Sequence, residues 1–337
     1  RLDLECRLIR HKLKLWKWRP RLCGRRPCRR SELTPPSRIA ERWHDLLHTG
    51  PLAGHHPTAL VHPGASLGED VEIGPYAIIE EHVVIGDRCR IDAHAVIKNY
   101  TKMGRGNHIH SHAMVGGEPQ DLKFQGEVTW LELGDGNRIR EFATLHRGTQ
   151  GGGGVTRLGS RNLCMAYTHV AHDCQLGSDI VMSNGATLGG HVRVDDYAII
   201  GGLSAVHQFC RIGTHAFVGG MTGVAQDLPP WMLAAGSRAL VHGPNLVGLR
   251  RAEAGRDVIA AFKHAFRLVW RSEMPHPEAL DLLEKRNTPP CRRMMAFVSF
   301  VRGSERGLCP AEKNVEKSLT ERAYQAKSFF VAERRKR

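Results

Sequence analysis

From Val61 to Met114 the chain divides into sixes: VHPGAS, LGEDVE, IGPYAI, IEEHVV, IGDRCR, IDAHAV, IKNYTK, MGRGNH, IHSHAM. The leading residues are Val61, Leu67, Ile73, Ile79, Ile85, Ile91, Ile97, Met103 and Ile109, each aliphatic or Met. The second position is often Gly, and the fifth is mostly small or β-branched. The phase breaks and returns at Leu133, Ile139 and Leu145. It then runs unbroken through Leu158, Cys164, Val170, Leu176, Met182, Leu188, Val194, Ile200, Val206, Ile212, Val218 and Val224. Neither a helix nor an alternating strand has a period of six. The period predicts a solenoid in which each six is a short strand and a tight turn, with the aliphatic residue pointing inward. Three sixes close a triangular coil of about 18 residues, and coils stack at the strand spacing of about 4.8 Å. One six cannot bury its own apolar face, so stacking supplies the core.

Composition agrees. The chain has 337 residues, 41% of them hydrophobic, but only 6% aromatic, with 36 Gly. That suits a fold that turns often. No apolar run approaches the roughly 20 residues of a membrane span. Nine scattered Cys without paired metal spacing read as reduced thiols in a cytoplasmic compartment. The net charge of +14 suggests a nucleic-acid partner until it is located. Residues 1–54 carry +9 and residues 311–337 carry +4, which leaves residues 55–310 at +1. The body is nearly neutral, so no nucleic-acid partner is expected. Residues 1–54 read as a disordered basic extension without the apolar core of a secretory signal. Residues 311–337 read as a basic tail.

Insertions into a regular solenoid are where function is expected. The first, about 115–130, reads VGGEPQDLKFQGEVTW; the second, about 148–157, reads GTQGGGGVTR. The glycine run lacks GxxxxGK[ST] and a following helix, so it is expected to be a flexible loop rather than a phosphate cradle. After it comes the densest polar constellation: His169, His172, Asp173, Gly189-Gly190-His191 and His207-Gln208. His172 and His191 are one coil plus one residue apart, so they should be neighbours on adjacent coils.

Four readings of these histidines compete. They can be structural or surface residues. Three of them can bind zinc and leave an open position, as in a carbonic-anhydrase-type lyase. His172 can be a general base, since imidazole titrates near neutrality, with Asp173 orienting it. Adjacent strand residues point opposite ways, so that pairing requires Asp173 to sit at a turn. Finally, the solenoid can be a non-catalytic assembly.

The pattern of sixes resembles the hexapeptide-repeat, left-handed parallel β-helix proteins, mostly acyltransferases. The ordered motifs QDLKF (120–124), GDGNRIRE (134–141), HRGT (146–149), HVAHDC (169–174), GGHVRVDD (189–196), AVHQFCRIG (205–213) and GVAQDLPPW (223–231) narrow the match. Over about residues 55–309 they resemble the UDP-N-acetylglucosamine acyltransferase family of lipid A synthesis. That resemblance implies transfer of a 3-hydroxyacyl group from acyl carrier protein to the sugar 3-hydroxyl, without metal or cofactor. It implies His172 as general base, Asp173 as its partner and the N–H of Gly190 as oxyanion donor. It further implies substrate contacts from Asp121, Lys123, His169, His191, Gln208, Asn245 and Arg251, and an acyl-length limit at Gly220. A homotrimer with clefts between subunits is also implied. Where related sequences carry an acidic residue and a further basic one, this chain has Val247 and Ala252. The related N-acyltransferase of the pathway is the alternative, but it carries an extra globular domain before its coil, and residues 1–54 are too short and too basic to form one.

The β-helix is expected over 55–230. After Pro229-Pro230 the sixes stop, and Val258, Ile259, Phe262, Phe266 and Val269 recur at helical spacing, predicting a helical domain over 231–310. Arg256, Lys263, Arg267 and Arg271 share another face of that helix. They are either a solvated face or a dock for the acidic carrier, where complementary charge speeds encounter. RNTPPCRR (286–293) should break the helices.

Overall fold

The computed structural model describes residues 54–286 and 291–311. The disorder expected of the basic extension and the tail concerns segments almost wholly outside those residues.

The chain coils as a left-handed parallel β-helix with three flat faces. The first face is a nine-stranded sheet from Leu60–Val61 to Gly223–Val224, the second an eight-stranded sheet from Ser66–Leu67 to Arg211–Ile212. The third begins at Glu72–Ile73 and continues through Phe217–Val218. Strands pair with the strand one coil on, as in Leu60↔Ile78, Ile78↔Val96 and His169↔Thr187. Inward residues follow the sixes: Ile73 and every later leading residue to Val224 are buried, while Val61 and Leu67, on the first described coil, are partly covered. The third sheet runs past residue 230, where the sixes stop, through Met232–Ala235 and the antiparallel Leu240–Pro244.

The turns follow one rule that decides where chemistry can sit. The fourth residue of nearly every six takes a left-handed backbone: φ is 61° at Asp173, 61° at His191 and 65° at Phe209. Left-handed residues redirect the chain sharply, and the coil register stacks them 18 apart. Along the corner between the third and first sheets, Tyr76, His94, His112, Phe142 and Tyr167 form a ladder of stacked rings 5.0–5.2 Å apart.

Four helices close the end of the coil: α1 (Leu246–Arg251), α2 (Arg256–Arg271), α3 (His276–Arg286) and α4 (Arg292–Arg302). Phe262 and Val269 of α2 are buried, and Phe262 packs edge-on against Phe297 of α4 at 6.0 Å. Trp231, the last corner residue, joins coil to helices, its ring 6.2 Å from Phe262.

Candidate functional site

His169 and His172 flank a turn from the first face to the second. The same corner one coil on carries Gly190 and His191, and the next carries Gln208 and Phe209. The third residues of these sixes, His172, Gly190 and Gln208, therefore form one column, and the fourth residues, Asp173, His191 and Phe209, form another. Asp173 sits at the left-handed position, as its pairing with His172 requires. The two side chains point the same way, and His172 Nδ1 lies 2.7 Å from Asp173 Oδ2. His191 Nε2 is 3.7 Å from the same oxygen, and the two imidazoles meet edge-on at 5.2 Å.

Asp173 is buried and tightly held. Thr149 N–H donates to Oδ1 at 2.8 Å and Thr149 Oγ1–H to Oδ2 at 2.7 Å, while Asp173 N–H donates to Thr156 Oγ1. Burial opposes its charge, but the bonds from His172 and Thr149 outweigh it and hold the carboxyl below its usual range. The glycine run is thus not the flexible loop expected. It forms a 3₁₀ turn over Gln150–Gly152, capped by Thr149, and wraps the carboxylate. Gly152 is required there: a Cβ would lie 2.0 Å from Asp173 Cγ.

Gly190 packs directly on the imidazole; a Cβ on it would lie 2.6 Å from His172 Cε1 and 2.8 Å from Nε2. Gly189 N–H donates to Val206 O and His191 N–H to His172 O, but the N–H of Gly190 is not used in that coil-to-coil ladder. It is thus placed as a donor beside His172. Burial chiefly holds His191 below the usual imidazole value, with His172 acting the same way and the charges of Asp173 and Asp121 opposing.

His169 projects from the first face, its Nδ1 2.7 Å from Thr144 Oγ1. Burial and, less, the charge of His172 lower its pKa. Sequence reasoning did not single out His146, which lies under it edge-on at 4.9 Å and whose pKa burial pushes down to about 4. Thr149 and His146 both lie in the quoted HRGT, but only the folded loop shows what they touch. The first insertion brings Asp121 and Lys123 to the same groove, a space of about 1090 Å³ shared with His191, Phe209 and Arg193. Arg147 anchors that insertion, its guanidinium 5.4 Å from the Phe124 ring and bonded to Asn99 Oδ1. Gln208 is exposed above Gly190.

Other expected residues lie elsewhere. Asn245 caps α1 and lies against the turn from the second face to the third, and Arg251 is the last residue of α1; neither is at the His172 corner. The Asn245 side chain donates to His215 O and accepts from Gly248 N–H, so here it caps a helix. Ala252 ends α1, and Val247 is exposed on it. Gly220 lies at the far edge of the first face, where a Cβ would meet only Gly202 O at 3.4 Å. Between it and His172 the face carries the small residues Thr187, Ala205 and Gly223. Arg256, Lys263, Arg267 and Arg271 are all exposed on α2, with Arg271 over the Phe266 ring.

A family model described as "Bacterial transferase hexapeptide (six repeats)" matches residues 64–99. Another, "Udp N-acetylglucosamine O-acyltransferase; Domain 2", matches residues 227–309. The acyl-[acyl-carrier-protein]--UDP-N-acetylglucosamine O-acyltransferase of Aliarcobacter butzleri is 50% identical over 254 residues, 75% of this chain and 96% of that protein. The solved UDP-N-acetylglucosamine O-acyltransferase of Moraxella catarrhalis is 41% identical with a TM-score of 0.73, covering 75% of this chain and 98% of that one. The Arabidopsis UDP-N-acetylglucosamine acyltransferase is 34% identical with a TM-score of 0.68, covering 76% and 100%.

Proposed function

The chain belongs to the UDP-N-acetylglucosamine O-acyltransferase family, and we propose that it moves a 3-hydroxyacyl group from acyl carrier protein to the 3-hydroxyl of UDP-N-acetylglucosamine, opening lipid A synthesis. The observation that carries the mechanism is the trio of His172, Asp173 and Gly190 on one corner. His172 Nε2 removes the hydroxyl proton as that oxygen attacks the thioester carbonyl. Asp173 accepts from Nδ1–H, fixes the tautomer and stabilises the imidazolium. The tetrahedral oxyanion accepts from Gly190 N–H, a contribution of about 3–4 kcal/mol in comparable sites. Collapse breaks the C–S bond, and His172 gives the proton to the departing thiolate, releasing the carrier's thiol.

Lys123 suits the phosphates of the nucleotide and Asp121 the sugar hydroxyls, with His169, His191 and Gln208 lining the same corner. The acyl chain crosses the small residues of the first face toward Gly220, where the open space admits a long chain. Asn245 and Arg251 serve the site of a neighbouring copy in a homotrimer. Two features support this arrangement. Within one chain those residues occupy a different corner from His172, and an exposed apolar ridge runs down the ring-ladder corner through Tyr76, Phe142, Tyr167, Leu203 and Met221. The exposed cationic face of α2 receives the acidic carrier. No described helix is long and apolar enough to cross a membrane. The compartment proposed for it is the cytoplasm, where the buried free thiols of Cys89, Cys164, Cys174, Cys210 and Cys309 would persist.

The test is incubation with UDP-N-acetylglucosamine and a panel of 3-hydroxyacyl carriers, read by mass spectrometry. Carrier-dependent acylation at the sugar 3-oxygen, lost in His172→Ala with the assembly intact, is expected. Near-normal turnover in that variant sinks the base assignment.

A further inference from the structure

Another cluster of side chains of metal-ligating type lies away from the His172 corner, on the outer side of the third sheet. Strands Arg90–Ile91, His108–Ile109 and Arg138–Ile139 pair in register there, Arg90↔His108↔Arg138. Each inward Ile is flanked by outward residues, so the face presents Asp92, His108 and His110, with Glu141 beside them on the next coil. Asp92 Oδ2 lies 2.9 Å from His108 Nε2 and 3.4 Å from His110 Nδ1. The three ligand atoms all lie within 4.8 Å of one another. Glu141 Oε1 is 3.8 Å from His110 Nδ1. The two imidazoles stack with centroids 3.8 Å apart.

Two imidazole nitrogens and a carboxylate oxygen converge on one point of the face, where each can offer a lone pair to a cation lying between them. The dimensions fit: metal–ligand bonds of about 2.0–2.1 Å at tetrahedral angles put ligand atoms about 3.3 Å apart, and the Asp92 contacts bracket that length. The surrounding charges are Arg90, Arg140, Glu72 and Glu141. Arg90 Nε donates to Asp92 Oδ1 at 2.9 Å, which leaves Oδ2 to the histidines. That is the usual role of an outer partner at a metal site. Arg140 is engaged by Glu141.

We propose that Asp92, His108 and His110 form a binding site for a divalent cation of the zinc class, with Glu141 as the adjacent fourth carboxylate. The ion ties successive coils together on the third face, which within one chain is not one of the two that meet at the His172 corner. The test is metal titration of the full chain after chelation, with zinc followed by equilibrium dialysis and elemental analysis, and cobalt by its visible spectrum. Because His172, Asp173 and His191 also converge, Asp173→Asn is run beside His108→Ala, His110→Ala and Asp92→Asn, with circular dichroism to establish folding. The wild type and Asp173→Asn should bind one zinc per chain, give tetrahedral cobalt bands and melt a few degrees higher with zinc. His108→Ala, His110→Ala and Asp92→Asn, while folded, should lose all three responses. No uptake by the wild type, unchanged uptake in the folded His108 and His110 variants, or loss confined to Asp173→Asn would each overturn the proposal.

Discussion

Replacing Gly190 by Ala tests the catalytic geometry without removing any of its polar groups. The backbone at Gly190 lies outside the left-handed region, so Ala can adopt it, and the N–H stays where it is. The added methyl would lie 2.6 Å from His172 Cε1, whereas ordinary contact begins near 3.4 Å, so the ring must retreat by about 0.8 Å. It cannot take its partner along, because Asp173 is buried and fixed by two bonds from Thr149. The 2.7 Å bond between ring and carboxylate therefore lengthens or bends. A displacement of about 1 Å at a reacting group costs on the order of 10²-fold in rate. That is about 2.7 kcal/mol of barrier. The expected result is a kcat lower by about 10²-fold, a KM for UDP-N-acetylglucosamine within about threefold, and a Tm within a few degrees of the wild type. Steady-state acylation read by mass spectrometry, with thermal unfolding alongside, makes the measurement. A folded variant with kcat within about threefold of the wild type would refute the claim that the position of this ring sets the rate.

Gly152→Ala drives a methyl into Asp173 Cγ, so the loop must lift and the Thr149 bonds break. Stability should fall by about 1–3 kcal/mol in urea melts with kcat falling in parallel; a folded variant of unchanged kcat counts against the role of the loop. His146 makes acid destabilising. Its folded pKa of about 4 lies below the unfolded 6.5, so the unfolded chain gains a proton first as pH drops. That penalty is absent above about pH 6.5, grows as pH falls and levels off near 4 at about 3 kcal/mol. Urea melts of His146→Gln should show a shallower pH dependence across that window, and parallel wild-type and variant curves would contradict this. Gly220→Met fills open space at the edge of the first face and should shift preference to acyl chains shorter by several carbons. At about 0.8 kcal/mol per buried CH₂, that is roughly fourfold per carbon, and an unchanged chain-length profile would remove Gly220 from the groove.

The coil was legible because burial has a single period here: every sixth residue is inward, a rhythm that neither a helix nor an alternating strand produces. The adjacency of His172 and His191 followed from the same arithmetic, since parallel stacking turns a separation of one coil into a contact. What stayed hidden depends on loops outside the rhythm. Composition alone makes GTQGGGGVTR look mobile, and only the buried carboxylate beside it explains why glycine is needed at 152. Asn245 likewise carries no sequence sign that it caps α1, because an N-cap Asn and a ligand-binding Asn have the same chemistry. The convergence of Asp92, His108 and His110 was masked by twenty histidines scattered along the chain.

The left-handed turn links fold and chemistry most directly. In an extended strand, neighbours such as His172 and Asp173 would face opposite sides, and no carboxylate could orient the base beside it in sequence. Holding a non-glycine residue at φ near +60° costs on the order of 1–3 kcal/mol, yet Asp173 sits there at 61°. Glycine would remove that strain and also remove the carboxylate. Asp tolerates this region better than most residues, and three bonds to Thr149 and Thr156 offset what remains. The second insertion is therefore the structural condition for the pair: without its Thr149 the carboxylate would be buried with only His172 to satisfy it. The same turn one coil on brings His191 over the same oxygen, and the third-position column sets Gly190 against the imidazole. A fold whose turns are nearly all alike thus needs one inserted loop at one corner to hold a buried carboxylate against His172 in a repeating column of side chains.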